Sequence, residues 1–520
     1  MVMVAQEETP MHMESREADD AVAEAADETT PPSNSSTRTR TRTRTIHVDN
    51  IHTGSTIGGA IFNFTNSIIG AGAIGLGGAI AKSGGIISVV AILSFAILTK
   101  LSLDMVIDLS IGSSYEELGR NCYGIPGWSA VLISKMLYAF GCLVAYIVVV
   151  KDNFGSALGH LISVDFNDTV VTLALSTFVM LPLCLLRDMT PLSNLSMISV
   201  ASMMVIVAIV LYLYFDNPND IREHGGSVYE NWFQVRSGLL ESLGTFVFSF
   251  VSQHTVHLAF ESLQPQLQTI QNWKRISSWS IALSTLVSLS VGVFVYMTFW
   301  EHAGSDVFDQ YPALPIVDVA KLLLCITMLL TFPFPFFTCR DMIIVAATAM
   351  ILSFSNKQQH QTNNSESSQE QVTSNDLEEP LLQQEQKEDT QDIETTTPEP
   401  QDIETTTPEL DSNLLVQDAA SLPSWLIADR QLKSSVHHIS VTVALWAVTT
   451  TLALVAPNLG DVLNLVGCAT GTVIAFILPS LFYFKQRGYS HTAMILVTVG
   501  GLVGSVGTFF STKQLFLDSR

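Results

Sequence analysis

The sequence predicts an all-α protein that crosses a membrane about eleven times. Three observations carry that prediction: a composition too poor in charge to cover a soluble surface, eleven apolar runs of membrane-spanning length, and loop charges that sort by side. Of the 520 residues, 48% are hydrophobic and 14% charged, with a mean hydropathy of +0.36. A soluble chain carries about 25% charged residues. Lipid can cover what so few charges cannot.

The apolar runs fall at about 57–82, 85–110, 128–150, 169–186, 190–215, 239–263, 277–300, 314–338, 436–456, 461–484 and 490–511. Each approaches the ~20 residues that a helix needs to cross ~30 Å of hydrocarbon. The eighth can continue past Arg340 as a helix outside the membrane, through Met342–Ser353. With the N-terminus inside, the cytoplasmic connections hold Arg120, Arg187, Lys274, Arg275, Arg340, Lys433, Lys485 and Arg487. The opposite loops are rich in acids, among them Asp152, Asp165, Asp168, Glu301, Asp306 and Asp309. That bias, with Arg38, Arg40, Arg42 and Arg44 just ahead of the first run, places the N-terminus in the cytoplasm.

Four segments follow. Residues 1–53 read as a disordered cytoplasmic tail, 54–353 as spans one to eight, 354–434 as a disordered acidic cytoplasmic insertion, and 435–520 as spans nine to eleven with a short tail. Residues 1–50 hold ten acids against five bases, and 354–434 hold seventeen against four. Together they account for 18 of the 23 net negative charges. The acidity therefore belongs to solvated segments and does not indicate a cationic substrate. The insertion nearly duplicates a ten-residue unit at 391–400 and 401–410, the mark of a low-complexity linker. Within it, Glu379-Pro380-Leu381-Leu382 resembles an acidic dileucine sorting signal, so a regulatory or sorting partner could engage 354–434. Asn167-Asp168-Thr169 is a glycosylation sequon in a non-cytoplasmic loop.

No CxxC pair occurs among the six cysteines, and no HExxH, GxSxG or paired intramembrane Asp is present. Neither a metal centre nor an enzyme is predicted, and no cofactor beyond a coupling ion. No feature suggests nucleic-acid binding. Asp104 and Asp108 near the end of span two read as structural ion pairs. Lys135 reads as a snorkelling side chain near the interface.

Span one is the most informative segment. Five glycines crowd residues 70–78. Each costs up to about 1 kcal/mol in a helix relative to Ala. A helix opened in lipid must find partners for its freed amides and carbonyls. A transporter supplies them as substrate and ion at midplane breaks. The plainer reading is a small-residue packing face, but Asn66 beside the break weighs against it. Span six, from Phe246 to His257, carries Ser249, Ser252, Gln253, His254, Thr255 and His257 in an apolar run. The two histidines read as structural. In span eight, Pro333 and Pro335 free carbonyls, and Thr331 can add a hydroxyl oxygen for a hard cation.

Four patches then resemble the amino acid/auxin permease family, particularly its sodium-coupled neutral amino acid transporter branch and related vacuolar transporters. They are the stretch from Phe62 to Gly85, Ser114–Gly119 with Gly124–Gly127, Gly141–Tyr146 leading to Lys151-Asp152, and Phe248–Val251 leading to Phe260–Leu263. The resemblance implies a LeuT-like fold of two inverted five-span repeats, with spans one and six broken and the eleventh appended. It implies a secondary transporter of small neutral amino acids, coupled to sodium by symport or alternatively to protons at a vacuolar or lysosomal membrane. An amino-acid sensor built on the same fold is a third reading. By position, Asn66 and Thr331 match sodium ligands. Ser67 and the backbone at Gly70, Ala71 and Gly72 would hold the substrate carboxylate, and Ser249 and Ser252 would face it from span six. The family often has His directly after the residue matching Ser252, where Gln253 stands here. The sequence leaves the plasma membrane and the vacuole or lysosome both open.

Overall fold

The computed structural model describes residues 54–111, 113–164, 166–186, 195–222, 228–348 and 424–518. The acidic tail, the dileucine-like segment and most of the insertion lie outside these residues.

Span one is in pieces. Helix α1 (Ile57–Ile68) starts where the Thr56 hydroxyl accepts the Gly59 N–H at 3.2 Å. It stops before Gly70, whose backbone is extended at φ −132° and ψ −151°. A single turn, Ala71–Ile74, leads into α2 (Leu76–Ser83). Gly84 ends α2 at φ 104°. A Cβ there would lie 2.2 Å from the Gln234 carbonyl, so only glycine fits.

Helix α3 (Gly85–Leu109) follows unbroken, then α4 (Tyr115–Ile162). A capping box between Ser114 and Glu117 starts α4, and Gly124 at φ 66° kinks it just before Pro126. Next come α5 (Asp168–Leu185) and α6 (Leu195–Asp216). The sequon residue Asn167 caps α5 by accepting the Val170 N–H. Span six is again in pieces, α7 (Leu239–Phe248) and α8 (Val256–Glu261). The chain ends with α9 (Ile270–Phe299), α10 (Pro315–Thr348), α11 (Ser424–Val455), α12 (Leu459–Arg487) and α13 (His491–Asp518).

Among the described residues, nine helices are long and apolar enough to cross a membrane. The two broken units, α1–α2 and α7–α8, complete the eleven runs read from sequence. Equivalent spans of the two five-span halves pack against each other: α1 and α2 on α8 and α7, α3 on α9, and α4 on α10. That pairing is the plan of a 5+5 inverted repeat, with the break falling in the first span of each half.

Three details differ from or sharpen the sequence reading. Helix α11 begins at Ser424, ahead of the boundary drawn at 435. Residues 424–434 carry strong helix formers, which extend the helix past its apolar core. Asp104 and Asp108 do pair, with Lys100 at 2.6 Å and Arg487 at 3.2 Å. Lys135 does not snorkel. It is buried, with its ammonium 2.6 Å from Glu116 on the arm of α4 before Gly124. The kink brings that arm back against the helix, a contact that no helical periodicity encodes.

Removing one partner of a buried ion pair typically costs about 3–5 kcal/mol, because the other charge stays buried and unpaired. Lys135→Met is therefore expected to lower the thermal unfolding midpoint in detergent markedly. Lys135→Met combined with Glu116→Gln should recover most of the loss.

Candidate functional site

The two breaks meet. Gly72 packs so tightly on span six that a Cβ there would lie 2.6 Å from the Ser249 Cα. Ala71 and Gly72 open the turn after the break, so their N–H groups have no acceptor within that turn. On the α1 side of the breaks is a cavity of about 250 Å³, smaller than the ~300–1,000 Å³ typical of drug-sized ligands and suited to a free amino acid, and Gly70, Ala71 and Gly72 are not among its lining residues. Its polar lining is Asn63, Asn66, Ser67, Tyr146, His254, Thr255, Ser262 and Thr331, and its apolar lining includes Phe64, Leu258 and Phe334. Among the described residues, no Asp, Glu, Lys or Arg lines it. The lining from the broken spans is α1 and the segment from His254 onward, so the cavity lies on the N-terminal side of the break in span one.

Three of the residues proposed from sequence come together in this lining: Asn66, Ser67 and Thr331. The Asn66 side chain is 4% exposed and makes no hydrogen bond to the described residues. The Thr331 hydroxyl lies 2.8 Å from the Thr327 carbonyl, to which it donates, and 3.3 Å from the Ser199 hydroxyl of α6. Its oxygen keeps lone-pair capacity toward the cavity. Ser67 donates to the Phe64 carbonyl at 2.8 Å and accepts from Thr255 at 3.3 Å, which ties span one to span six. Ser249 and Ser252 sit deeper. Ser249 donates back to the Thr245 carbonyl at 2.7 Å, and the Ser252 hydroxyl is fully buried without a partner. The Thr65 hydroxyl and the His254 Nδ1 are also buried beside the breaks without partners among the described residues.

The sequence reading passed over the two tyrosines of α4. Tyr138 and Tyr146 stand eight residues apart, on one face of the helix. The Tyr138 hydroxyl lies 3.2 Å from the Phe248 carbonyl and 3.1 Å from that of Val251, and so caps the broken end of α7. The Tyr146 hydroxyl sits where a Cβ on Gly70 would be, 2.9 Å away, and faces the cavity. One helix face thus serves both breaks, and the i, i+4, i+8 spacing of Tyr138, Cys142 and Tyr146 was the available signal. Gln253 also has a clear role. Its carbonyl oxygen accepts the Ser252 N–H at 3.1 Å and its amide donates to Ser102 of α3 at 3.2 Å. It fills the break of span six with hydrogen bonds, while His254 takes the place facing the cavity.

Among the described residues, no group of three or more His, Cys, Asp or Glu is placed to hold a metal ion, and all six cysteines are free and buried. Residues 53–510 match the family described as transmembrane amino acid transporter protein. The chain belongs to that family. It is a family of transporters, not enzymes. Among its relatives, the provisionally named sodium-coupled neutral amino acid transporter 11 of Bos taurus is 26% identical over 303 residues, 56% of this chain and 64% of the relative. Vacuolar amino acid transporter 2 of Saccharomyces cerevisiae is 27% identical over 297 residues, 55% of this chain and 61% of the relative. The matched region is thus less than two thirds of either relative. Mhp1, a nucleobase–cation symport transporter, overlaps with a TM-score of 0.49 at 10% identity, covering 89% of this chain and 91% of Mhp1.

Proposed function

We propose that this chain carries small neutral amino acids across a membrane by alternating access, coupled to sodium. The observation that carries the reading is the uncharged cavity at the meeting of the two breaks, with the uncommitted amide of Asn66 on its wall. A zwitterionic substrate needs no formal countercharge from the protein. The Ser67 and Tyr146 hydroxyls on the cavity wall would meet its carboxylate, and the N–H groups at Ala71 and Gly72 just beyond the lining would receive it once the break opens toward them. A sodium ion would take oxygen ligands from Asn66, Thr331 and span-one carbonyls. By binding one conformation better than the other, it would shift the equilibrium before substrate arrives, which is what coupling requires.

A second reading, proton-coupled transport at a vacuole-like or lysosome-like membrane, draws support from the likeness to the yeast vacuolar transporter. The deciding experiment is uptake of labelled neutral amino acids into proteoliposomes, under an inward sodium gradient and then an inward proton gradient. Sodium-driven uptake supports symport, and uptake driven only by protons moves the chain to the second reading. Absence of flux under both gradients sinks transport and leaves an amino-acid sensor as the working reading.

A further inference from the structure

The side of the breaks opposite the cavity is shut by the loop between α9 and α10. Its residues 303–309 lie on α2 and on the start of α12. A Cβ on Gly78 would meet the Gly304 carbonyl at 2.4 Å, and one on Gly460 would meet the Ser305 Cβ at 3.1 Å. The loop is held by its own apolar side chains, Val307 and Phe308 being buried and Tyr311 packing edge-on against Phe299 at 4.8 Å. In the middle is Asp306, 2% exposed. Its carboxyl accepts the Phe308 N–H at 2.9 Å and the Asn153 amide of α4 at 2.8 Å. Asn153 is itself buried and donates also to the Val149 carbonyl. This bond joins the loop to the helix face that also serves the breaks, two bodies that must part when this side opens.

Charge is what makes the bond unusual. Among the described residues, no ion pair reaches Asp306. Asp309 of the same loop faces it, its own carboxylate accepting the Asp306 N–H at 3.0 Å. From α4 come Asp152 and Lys151. The lysine donates to the Ala456 carbonyl at 3.1 Å and sits 3.7 Å from Asp152. From α10 come Cys325 and Lys321, the lysine lying 3.4 Å from the Ser156 hydroxyl. At the start of α12, Asp461 is held by Asn458. Burial and the acidic neighbours disfavour the ionised form more than the Phe308 and Asn153 N–H donors favour it, so the shut loop holds a proton on this carboxyl to higher pH than water would.

We propose that Asp306 is a proton-binding site, and that the proton it holds latches this side of the transporter shut. The proposal rests on the alternating-access reading above. Burial, with the charge of Asp309 beside it, pushes the Asp306 carboxyl up to about 7. In the open state the loop lifts and the carboxyl, in water, returns to the ordinary range near ~4. The shut state therefore binds more protons than the open one between these values. It gains on the open state as pH falls through about 7 and loses that advantage as pH rises past it. A proton taken from water on this side would close the loop behind a bound substrate.

The test uses the full chain in nanodiscs, which expose both faces. Ser305→Cys places a thiol at the seam, and a membrane-impermeant maleimide reports opening. The same labelling in Ser305→Cys with Asp306→Asn removes the intrinsic pH dependence of the thiol when the two rates are divided. From about pH 5 that ratio is expected to rise by up to about tenfold per pH unit, and to level off above about pH 7 once the shut state has also lost its proton. Asn153→Ala removes a donor that favours the ionised carboxyl, so the transition should move to higher pH. Parallel rates in parent and Asp306→Asn at every pH, or no movement with Asn153→Ala, would overturn the latch. Uptake into proteoliposomes separates the two readings. Flux with pH-independent labelling sinks the latch alone, and pH-dependent labelling without flux sinks transport alone.

Discussion

Asn66→Ala and Thr331→Ala are each expected to lower sodium-driven amino acid uptake on the order of tenfold or more, equivalent to about 1.4 kcal/mol of lost stabilisation. Both side chains line the same cavity, one from each half of the repeat. A sodium ion leaving water needs all its oxygen ligands replaced, and alanine offers none. The effect should appear as a higher sodium requirement at fixed amino acid concentration. Thr331→Ser keeps the oxygen and should keep most of the activity. The Asn66 side chain makes no hydrogen bond to the described residues, so the thermal midpoint of Asn66→Ala should hardly change. A large fall in stability alongside the lost flux would mean a structural role for Asn66. Proton-driven flux unaffected by either variant would remove the sodium assignment.

Gly244→Val is expected to abolish correct folding. Here α7 and α12 touch backbone to backbone. A Cβ on Gly244 would lie 2.0 Å from the Asn464 carbonyl oxygen, and one on Gly467 would lie 2.0 Å from the Gly244 carbonyl oxygen. The same crossing carries two hydrogen bonds to the Asn464 side chain, from the Thr245 N–H at 2.9 Å and the Thr245 hydroxyl at 2.8 Å. Overpacking a core costs typically ~1–3 kcal/mol where side chains can give way. Backbone atoms cannot, so the helices would separate and lose the bonds too. Close approach of small residues holds membrane helices together where no hydrophobic drive exists between them. Gly501→Ala is the control, since a Cβ there meets nothing within 4 Å. It should express and run as a single species, whereas Gly244→Val should aggregate or run at the void in size-exclusion chromatography. A monodisperse Gly244→Val with normal stability would show that the crossing is not needed.

Much of the fold was legible because lipid makes the code one-dimensional. Apolar length reports a crossing, and glycine density with a stray amide reports a break. Gly70–Gly78 and Asn66 gave the first break correctly, and the hydroxyl-rich stretch from Ser249 gave the second. The site was legible only in part. Asn66, Ser67 and Thr331 do line one cavity. Ser249 and Ser252, equally polar and equally placed in sequence, are turned away from it and buried. Tyr146 and His254 took the positions facing the cavity.

The sequence by itself determined which apolar runs form long helices among the described residues, where two of them break, and which polar residues lie within them. These depend on composition within a window shorter than one span. Only the tertiary structure decided what each polar group meets. Tyr138 capping Phe248, Lys135 pairing with Glu116 across a kink, and Asn153 meeting Asp306 at a separation of 153 residues are contacts between elements far apart in the chain. Helical periodicity fixes which residues share a face. The packing of eleven spans fixes what that face looks at, and a polar group at membrane depth takes its role from the partner it finds there.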